Sequence, residues 1–417
     1  MHDDTIELRQ PTADPKVLRA FLEPIAVAFG DDYTDEMFEI DRQLFEMDRL
    51  VGAVDGETWV GGACAESRRL TVPGGAEVRA AAISGVGVLP SHRRRGILTR
   101  LMGWLLDQAE DRGEAVSVLH ASEGAIYPHF GYGIGTLQAS IDAERSAFRF
   151  SRPAEPLGRV RLVDVDEGMR LIPAIFEQAR AGGPGEVSRS PAEWRHQLLG
   201  DNSSRRSTLG LKSNAVLEVD GQPRGYASYR VKSEWDDRGP KNILNVLEVV
   251  ALDPAAERTL WEWMVGIDLV GRVKVWRTPV QHPLFLQLLD PRRLGLTIRE
   301  GIWVRLVDVR ATLEARTYAG PGRVTLEVTD AFRPSNAGRW TVDVPGDRGV
   351  ASVAAAEPGV EPDLALDVAD LATIYLGAFT FADLAHAGRL RECRDGAVAA
   401  ADRLFTTPFA PWCSTMF

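Results

Sequence analysis

Apolar residues recur along the first part of the chain at two different periods. Val17, Leu18, Phe21, Leu22, Ile25 and Phe29 are spaced for one face of a helix over residues 15–29, with Pro24 inside it as a point of bending or division. Met37, Phe38, Ile40, Leu44 and Phe45, interrupted by Asp35, Glu36, Glu39, Asp41 and Glu46, predict a second helix over 34–47. Three strands follow. Residues 50–54 join 58–70 through Asp55-Gly56, and 78–88 is entered from the turn Pro73-Gly74-Gly75. The last of these ends Val86-Gly87-Val88 and meets Leu89-Pro90-Ser91-His92-Arg93-Arg94-Arg95-Gly96. Ile97, Leu98, Leu101, Met102, Leu105 and Leu106 then mark a strongly amphipathic helix, and 115–119 is a short apolar strand. The sum is a strand, a Gly-containing loop, a helix and a strand.

A break near Arg152-Pro153-Ala154-Glu155-Pro156-Leu157-Gly158 reads as a linker. A similar order recurs after it: helices over 171–181 and 191–199, a hairpin of 215–219 and 225–231 around Asp220-Gly221, a strand over 243–252, a helix over 255–269 and a strand over 273–276. The recurrence predicts an internal duplication. The second copy has Asp253-Pro254-Ala255-Ala256-Glu257-Arg258 where the first has its Arg/Gly loop, so it is expected to bind no anionic cofactor. From about Gly301 the pattern changes again. A strand over 303–309, a helix over 310–318, strands over 324–329, 338–344 and 363–368, and a helix stopping at Gly377 describe a third α+β unit.

The 417 residues suit about three domains at roughly 150 residues each. Expected bounds are 1–150, 151–299 and 300–417. Charge counting, 48 Lys+Arg against 59 Asp+Glu, leaves a formal net of −11, which disfavours a general nucleic-acid binder and suits small cationic ligands. Cys64, Cys393 and Cys413 are too few and too scattered for a disulfide framework or a zinc cluster, and no spacing among the seven His fits a metal site. No metal is expected. The acidic start Met1-His2-Asp3-Asp4-Thr5-Ile6-Glu7 does not read as a signal peptide, and no run approaches 18 apolar residues. A soluble cytoplasmic protein without membrane partners is the expectation.

The Arg/Gly loop carries the chemistry. Amides at a helix N-terminus point outward at the positive end of the dipole, glycine permits close backbone approach, and arginine adds forked donors. A short Arg run alone is solvated surface; strand end, Pro, Arg cluster, Gly and long amphipathic helix together indicate a phosphate cradle. The stretch from Val86 to Leu98 resembles the acyl-CoA pyrophosphate loop of the GNAT superfamily of N-acetyltransferases, departing from the general pattern with Leu98 at its last position. With Ala121-Ser122-Glu123-Gly124-Ala125-Ile126-Tyr127-Pro128-His129-Phe130-Gly131-Tyr132-Gly133, it resembles the Eis (enhanced intracellular survival) branch, and the resemblance covers the whole chain. It implies an α+β protein of two tandem GNAT-like domains, the second degenerate, followed by a sterol-carrier-like domain whose C-terminus enters the active site.

The resemblance also implies residue roles. Acetyl-CoA is the co-substrate, held by Val86, Gly87 and Val88 through main-chain pairing with pantetheine. Arg94, Arg95, Gly96, Ile97, Leu98 and Thr99 hold the pyrophosphate, with Ser122 and Glu123 bordering the thiol end. The general base is the main-chain carboxylate of Phe417, and Tyr127, rather than Tyr132, is the general acid. Read without the resemblance, Phe417 is a frayed chain end and Tyr127 a packed aromatic. His92 reads as exposed in the loop, His120 as a satisfied strand-end histidine and His129 as a residue at the site mouth. Asp31-Asp32-Tyr33-Thr34-Asp35-Glu36, with Phe38 and Trp59, is a candidate amine-binding wall or simply a solvated helix face. The implied activity is acetylation of primary amines on polycationic small molecules such as aminoglycosides, an antibiotic-resistance chemistry, by a homohexamer. A protein lysine acetyltransferase is the alternative enzyme, and a lipid-binding or scaffold protein the alternative class.

Overall fold

The structure, a computed structural model, describes residues 6–417 apart from 156, 202 and 348. The acidic start up to residue 5 and Pro156 of the linker lie outside the described residues. The chain divides into two units: Met1–Thr136 with Gly301–Pro411 and Thr415–Phe417, and Leu137–Glu300 with Trp412–Ser414.

A seven-stranded sheet organises the first unit, in the order β1 (Ile6–Arg9), β2 (Leu50–Asp55), β3 (Thr58–Thr71), β4 (Glu77–Val88), β5 (Val116–His120), Ile302–Leu306 and β6 (Gly133–Ile134). β1 to β4 pair antiparallel; β4 and β5 are parallel, as a helical crossover through α3 (Ile97–Asp111) requires. Helix α1 (Pro15–Phe29) runs unbroken through Pro24, capped by the Asp14 carboxylate at its start and by left-handed Gly30 at its end. Helix α2 (Asp35–Leu44) stops three residues before the expected limit. The Glu46 carboxylate accepts from the Ser67 amide (2.6 Å) and hydroxyl (2.7 Å), drawing the chain out of the helix toward β3.

Two strands correct the sequence expectation. β1 has too few residues to show a period, and its pairing with β2 alone defines it. Ile302–Leu306, expected to open the third unit, lies in the first sheet between β5 and β6, pairing Ile302 with His120 and Leu306 with Val116. All five of its residues are buried, as a strand covered on both faces demands. Arg305 among them is 0% exposed and is neutralised by Asp330 at 2.5 Å.

The third module builds a five-stranded sheet in the order Ser352–Ala355, Gly338–Val344, Gly322–Thr329, Leu364–Asp367, Leu390–Glu392. Edge-to-face contacts of Tyr318 and Phe381 on Phe405, each with centroids 5.0 Å apart, fill its interior. Buried Arg316 donates to the carbonyls of Tyr375 (2.6 Å) and Phe405 (2.8 Å). This module packs closely on the first sheet. A Cβ placed on Gly133 would lie 2.0 Å from the Ala369 carbonyl oxygen, so only glycine fits.

The second unit repeats the order. Its sheet runs Thr297–Glu300, Leu137–Glu144, Val270–Thr278, Asn242–Ala251, Gln222–Lys232, Leu211–Val219, Arg159–Val163. The hairpin turns at Asp220-Gly221, both at positive φ. Asn242–Ala251 and Val270–Thr278 are parallel and connected by the helix Pro254–Val265, which matches β4, α3 and β5. That helix ends before the expected 269. The helix expected over 171–181 begins earlier, at Val165, where the Asp164 carboxylate caps it. In this unit's interior Arg189 forms a forked pair with Glu248 (3.0 and 2.6 Å), which also accepts from the Tyr226 hydroxyl at 2.6 Å. Burial alone raises the Glu248 pKa, but Arg189 outweighs it and the group is held at about 2.

Two predictions follow from this packing. Gly133→Ala forces the third module off the first sheet, destabilising the protein by about 1–3 kcal/mol, read as a lowered melting temperature. Glu248→Gln removes the carboxylate charge that faces buried Arg189, costing about 3–5 kcal/mol. Because the Glu248 pKa is depressed on folding, its contribution is present above the ordinary carboxylate range and fades as pH falls toward 2. Denaturant titrations across that interval should show a shallower pH slope in the variant.

Candidate active site

The site begins where two strands part. β4 and β5 stay paired only as far as Ile83 and Leu119. Beyond that, β4 continues to Val88 on the β3 side alone, pairing Ser84 with Cys64, Gly87 with Gly62 and Val88 with Gly61. Gly85 and Val86 stand opposite the single residue Ala63, a bulge made possible by Gly85 at φ +59°. The β5-facing edge of Val86–Val88 therefore has no strand partner among the described residues. An extended ligand carrying amide groups can pair with such an edge.

The helix N-terminus follows directly. Gly96 occupies the cap position at φ +76° and no side chain caps the helix, so the amides of Ile97, Leu98 and Thr99 keep their first-turn openness. Arg94 also adopts positive φ, +63°, and its side chain is exposed. Arg95 is shared with Asp55 at 3.6 Å, while His92 approaches the same carboxylate at 3.4 Å and Arg93 turns back to the Val88 carbonyl. Diphosphate chemistry fits this cradle: open amides, a dipole and two guanidinium groups. The second copy lacks all of it. There the Asp253 carboxylate caps the equivalent helix, accepting from the Ala256 amide at 2.8 Å, and is itself paired with Arg224 at 2.7 Å.

Ser122 and Glu123 are exposed in the loop after β5, and the chain then turns through Tyr127–Phe130. Tyr127 is 6% exposed, and no hydrogen bond ties up its hydroxyl among the described residues. Burial, reinforced by the Glu123 charge, raises its pKa, so the phenol keeps its proton at neutral pH. Tyr132 has a different employment. Fully buried, its hydroxyl lies 2.7 Å from Ser117 Oγ, which donates to the Ala81 carbonyl, and its ring packs on Tyr127 at 5.9 Å.

The chain end is not frayed. Thr415 is fully buried, and His120 Nε2 lies 2.9 Å from its carbonyl oxygen. The Phe417 ring sits 5.0 Å from the His120 ring, with the Arg68 guanidinium 5.8 Å from its centroid. His120 closes β5, one residue past the last pairing with β4. The fork, the open helix N-terminus, the Tyr127 turn and the last three residues thus gather at the carboxyl end of the parallel pair. His120, Arg68 and Ser117 were not singled out as tail or tyrosine partners from the sequence; 295 positions separate His120 from Thr415, and no local pattern spans that distance.

The acidic wall divides differently. Phe38 is a core residue, Trp59 packs edge-on against Phe21 at 5.5 Å, and Asp35 is paired with Arg19. Tyr33 donates to the half-buried Asp41 at 2.9 Å. His129 is exposed and stacks edge-on with Phe130 and Phe332. Among the described residues no cluster of His, Cys, Asp or Glu is arranged to hold a metal, and no helix is long and apolar enough to cross a membrane.

Comparison with known proteins agrees with this architecture. Family models described as acetyltransferase (GNAT) domains match residues 11–135 and 185–306, and one described as a sterol carrier protein domain matches 309–414. An uncharacterized N-acetyltransferase of Streptomyces avermitilis is 40% identical over 408 residues, covering 96% of this chain and 98% of that one. The N-acetyltransferase Eis of Mycobacterium tuberculosis is 35% identical over 399 residues, 93% of each chain. Among solved structures, Eis1 from Mycobacterium abscessus superposes with a TM-score of 0.83 at 33% identity, covering 99% of this chain and all of that one. Two GNAT-like domains and a sterol-carrier-like domain in this order, with identity of that level along nearly the whole length, place the chain in the Eis family of GNAT N-acetyltransferases.

Proposed function

We propose that this N-acetyltransferase moves the acetyl group of acetyl-CoA to primary amines of polycationic small molecules, aminoglycosides being the class to test first. The observation that carries the proposal is the fork between β4 and β5, with an uncapped helix N-terminus on one side and an anchored chain end on the other. Acetyl-CoA supplies the acetyl group as a thioester. Val86–Val88 pair with its pantetheine; Arg94, Arg95 and the amides of Gly96 to Thr99 hold its pyrophosphate; Ser122 and Glu123 border the thiol end. The same proposal includes a cytoplasmic setting and a hexamer, the latter readable by light scattering.

Proton handling follows from the groups present. The Phe417 carboxylate is ionised at neutral pH and takes the ammonium proton, exposing the nitrogen lone pair. An amide of Val86–Val88 donates to the carbonyl oxygen as charge builds there. The new C–N bond forms, the C–S bond breaks, and Tyr127 gives its phenolic proton to the departing sulfur. Solvent then takes the second proton from the newly acylated nitrogen and the one on the carboxyl, and returns one to the phenolate, leaving the neutral amide and free thiol. The −11 formal charge of the chain favours capture of cationic substrates.

Thiol release from acetyl-CoA with kanamycin or tobramycin tests the activity; intact CoA binding with no turnover across a panel of amines rejects it. Tyr127→Phe should lower kcat roughly 100- to 10,000-fold with little change in acetyl-CoA affinity. Deletion of Phe417, or extension of the chain beyond it, should do the same. Full activity of Tyr127→Phe moves the acid role to another group.

A further inference from the structure

His120 is the last residue of β5, one step beyond the final β4 pairing. Its Nε2 lies 2.9 Å from the Thr415 carbonyl oxygen. A carbonyl only accepts, so this contact assigns the proton to Nε2. The bond goes to main chain, not side chain, and therefore fixes the path of the backbone itself. Thr415 is buried, Met416 is 46% exposed and Phe417 is half-buried, the alternation of an extended segment. The His120 ring, 5.0 Å from the Phe417 ring at 50°, adds a second contact two residues on. Two peptide units span at most about 7 Å, so holding the Thr415 carbonyl sharply limits where the terminal carboxylate can go.

We propose that His120 is a positioning residue for acetyl transfer: its Nε2–H grips the Thr415 carbonyl and sets where the Phe417 carboxylate meets the amine. The role rests on the assignment of that carboxylate as base. His120 itself takes no proton from the substrate. A residue acting this way alters the geometry of a transition state and leaves co-substrate binding alone.

A double-variant cycle tests it, with kcat and KM measured separately for amine and acetyl-CoA. His120→Ala should lower kcat roughly 10- to 100-fold, the loss expected of a misplacement near 1 Å, with the acetyl-CoA KM and the melting temperature unchanged. His120→Gln, which keeps an N–H donor on a side chain of similar reach, should recover most of that loss. Deletion of Phe417 added to His120→Ala should be no worse than the deletion alone, because both act through one carboxylate. Wild-type kcat in His120→Ala, equal losses in the Ala and Gln variants, or losses that multiply in the double variant would each overturn the role. Full activity on deleting Phe417 would instead remove the base assignment and the His120 role with it. An inactive deletion beside a fully active His120→Ala removes only the latter.

Discussion

Everything in the first unit depends on the parting of two parallel strands. As long as β4 and β5 run together, their edges satisfy each other and neither can meet a ligand. Past Ile83 and Leu119 the bulge at Gly85-Val86 turns β4 away, and its β5-facing edge is left without a strand partner among the described residues. The fork also decides what stands around it. The helix entered from β4 opens its N-terminus there, the loop leaving β5 brings Tyr127, and the end of β5 receives the chain terminus.

The two copies differ in whether the helix after the first parallel strand is left open or capped at its N-terminus. Both have a strand, a helix and a parallel strand in the same order. In the first, glycine at the cap leaves the helix amides open; in the second, Asp253 closes them with its own carboxylate. The cap carboxylate, together with the absence of the Arg93–Arg95 run, reverses the charge at that helix end. The second unit has turned inward instead, with Arg189, Glu248 and Tyr226 forming a buried network and Glu186 accepting from Ser414. Burial makes that network costly to break, and its Arg–Glu pair survives only because each charge neutralises the other.

Protonation is set by the same burial. Tyr127 and Tyr132 are neighbours in one aromatic contact, and burial keeps both phenols neutral. What distinguishes them is the partner: Ser117 Oγ lies 2.7 Å from the Tyr132 hydroxyl, whereas the Tyr127 hydroxyl has no hydrogen bond among the described residues. The preference for Tyr127 over Tyr132 as acid rests on the family resemblance.

Local information was enough for most of the elements. Helical spacing over 15–29 and 97–111, the Asp220-Gly221 hairpin, the Arg/Gly loop and the duplicated order were all written in short segments, because periodicity and turn chemistry act between near neighbours. Where a distant partner decides, the letters were silent. Glu46 ends α2 early because Ser67 captures it; β1 exists because β2 is beside it; Ile302–Leu306 joins the first sheet because β5 and β6 leave a place for a strand buried on both faces. The chain end is the clearest case. Its residues, Trp412-Cys413-Ser414-Thr415-Met416-Phe417, determined an apolar tail, and only the family resemblance suggested its destination, since a contact 295 residues long is fixed only when the folded chain brings His120 to meet it.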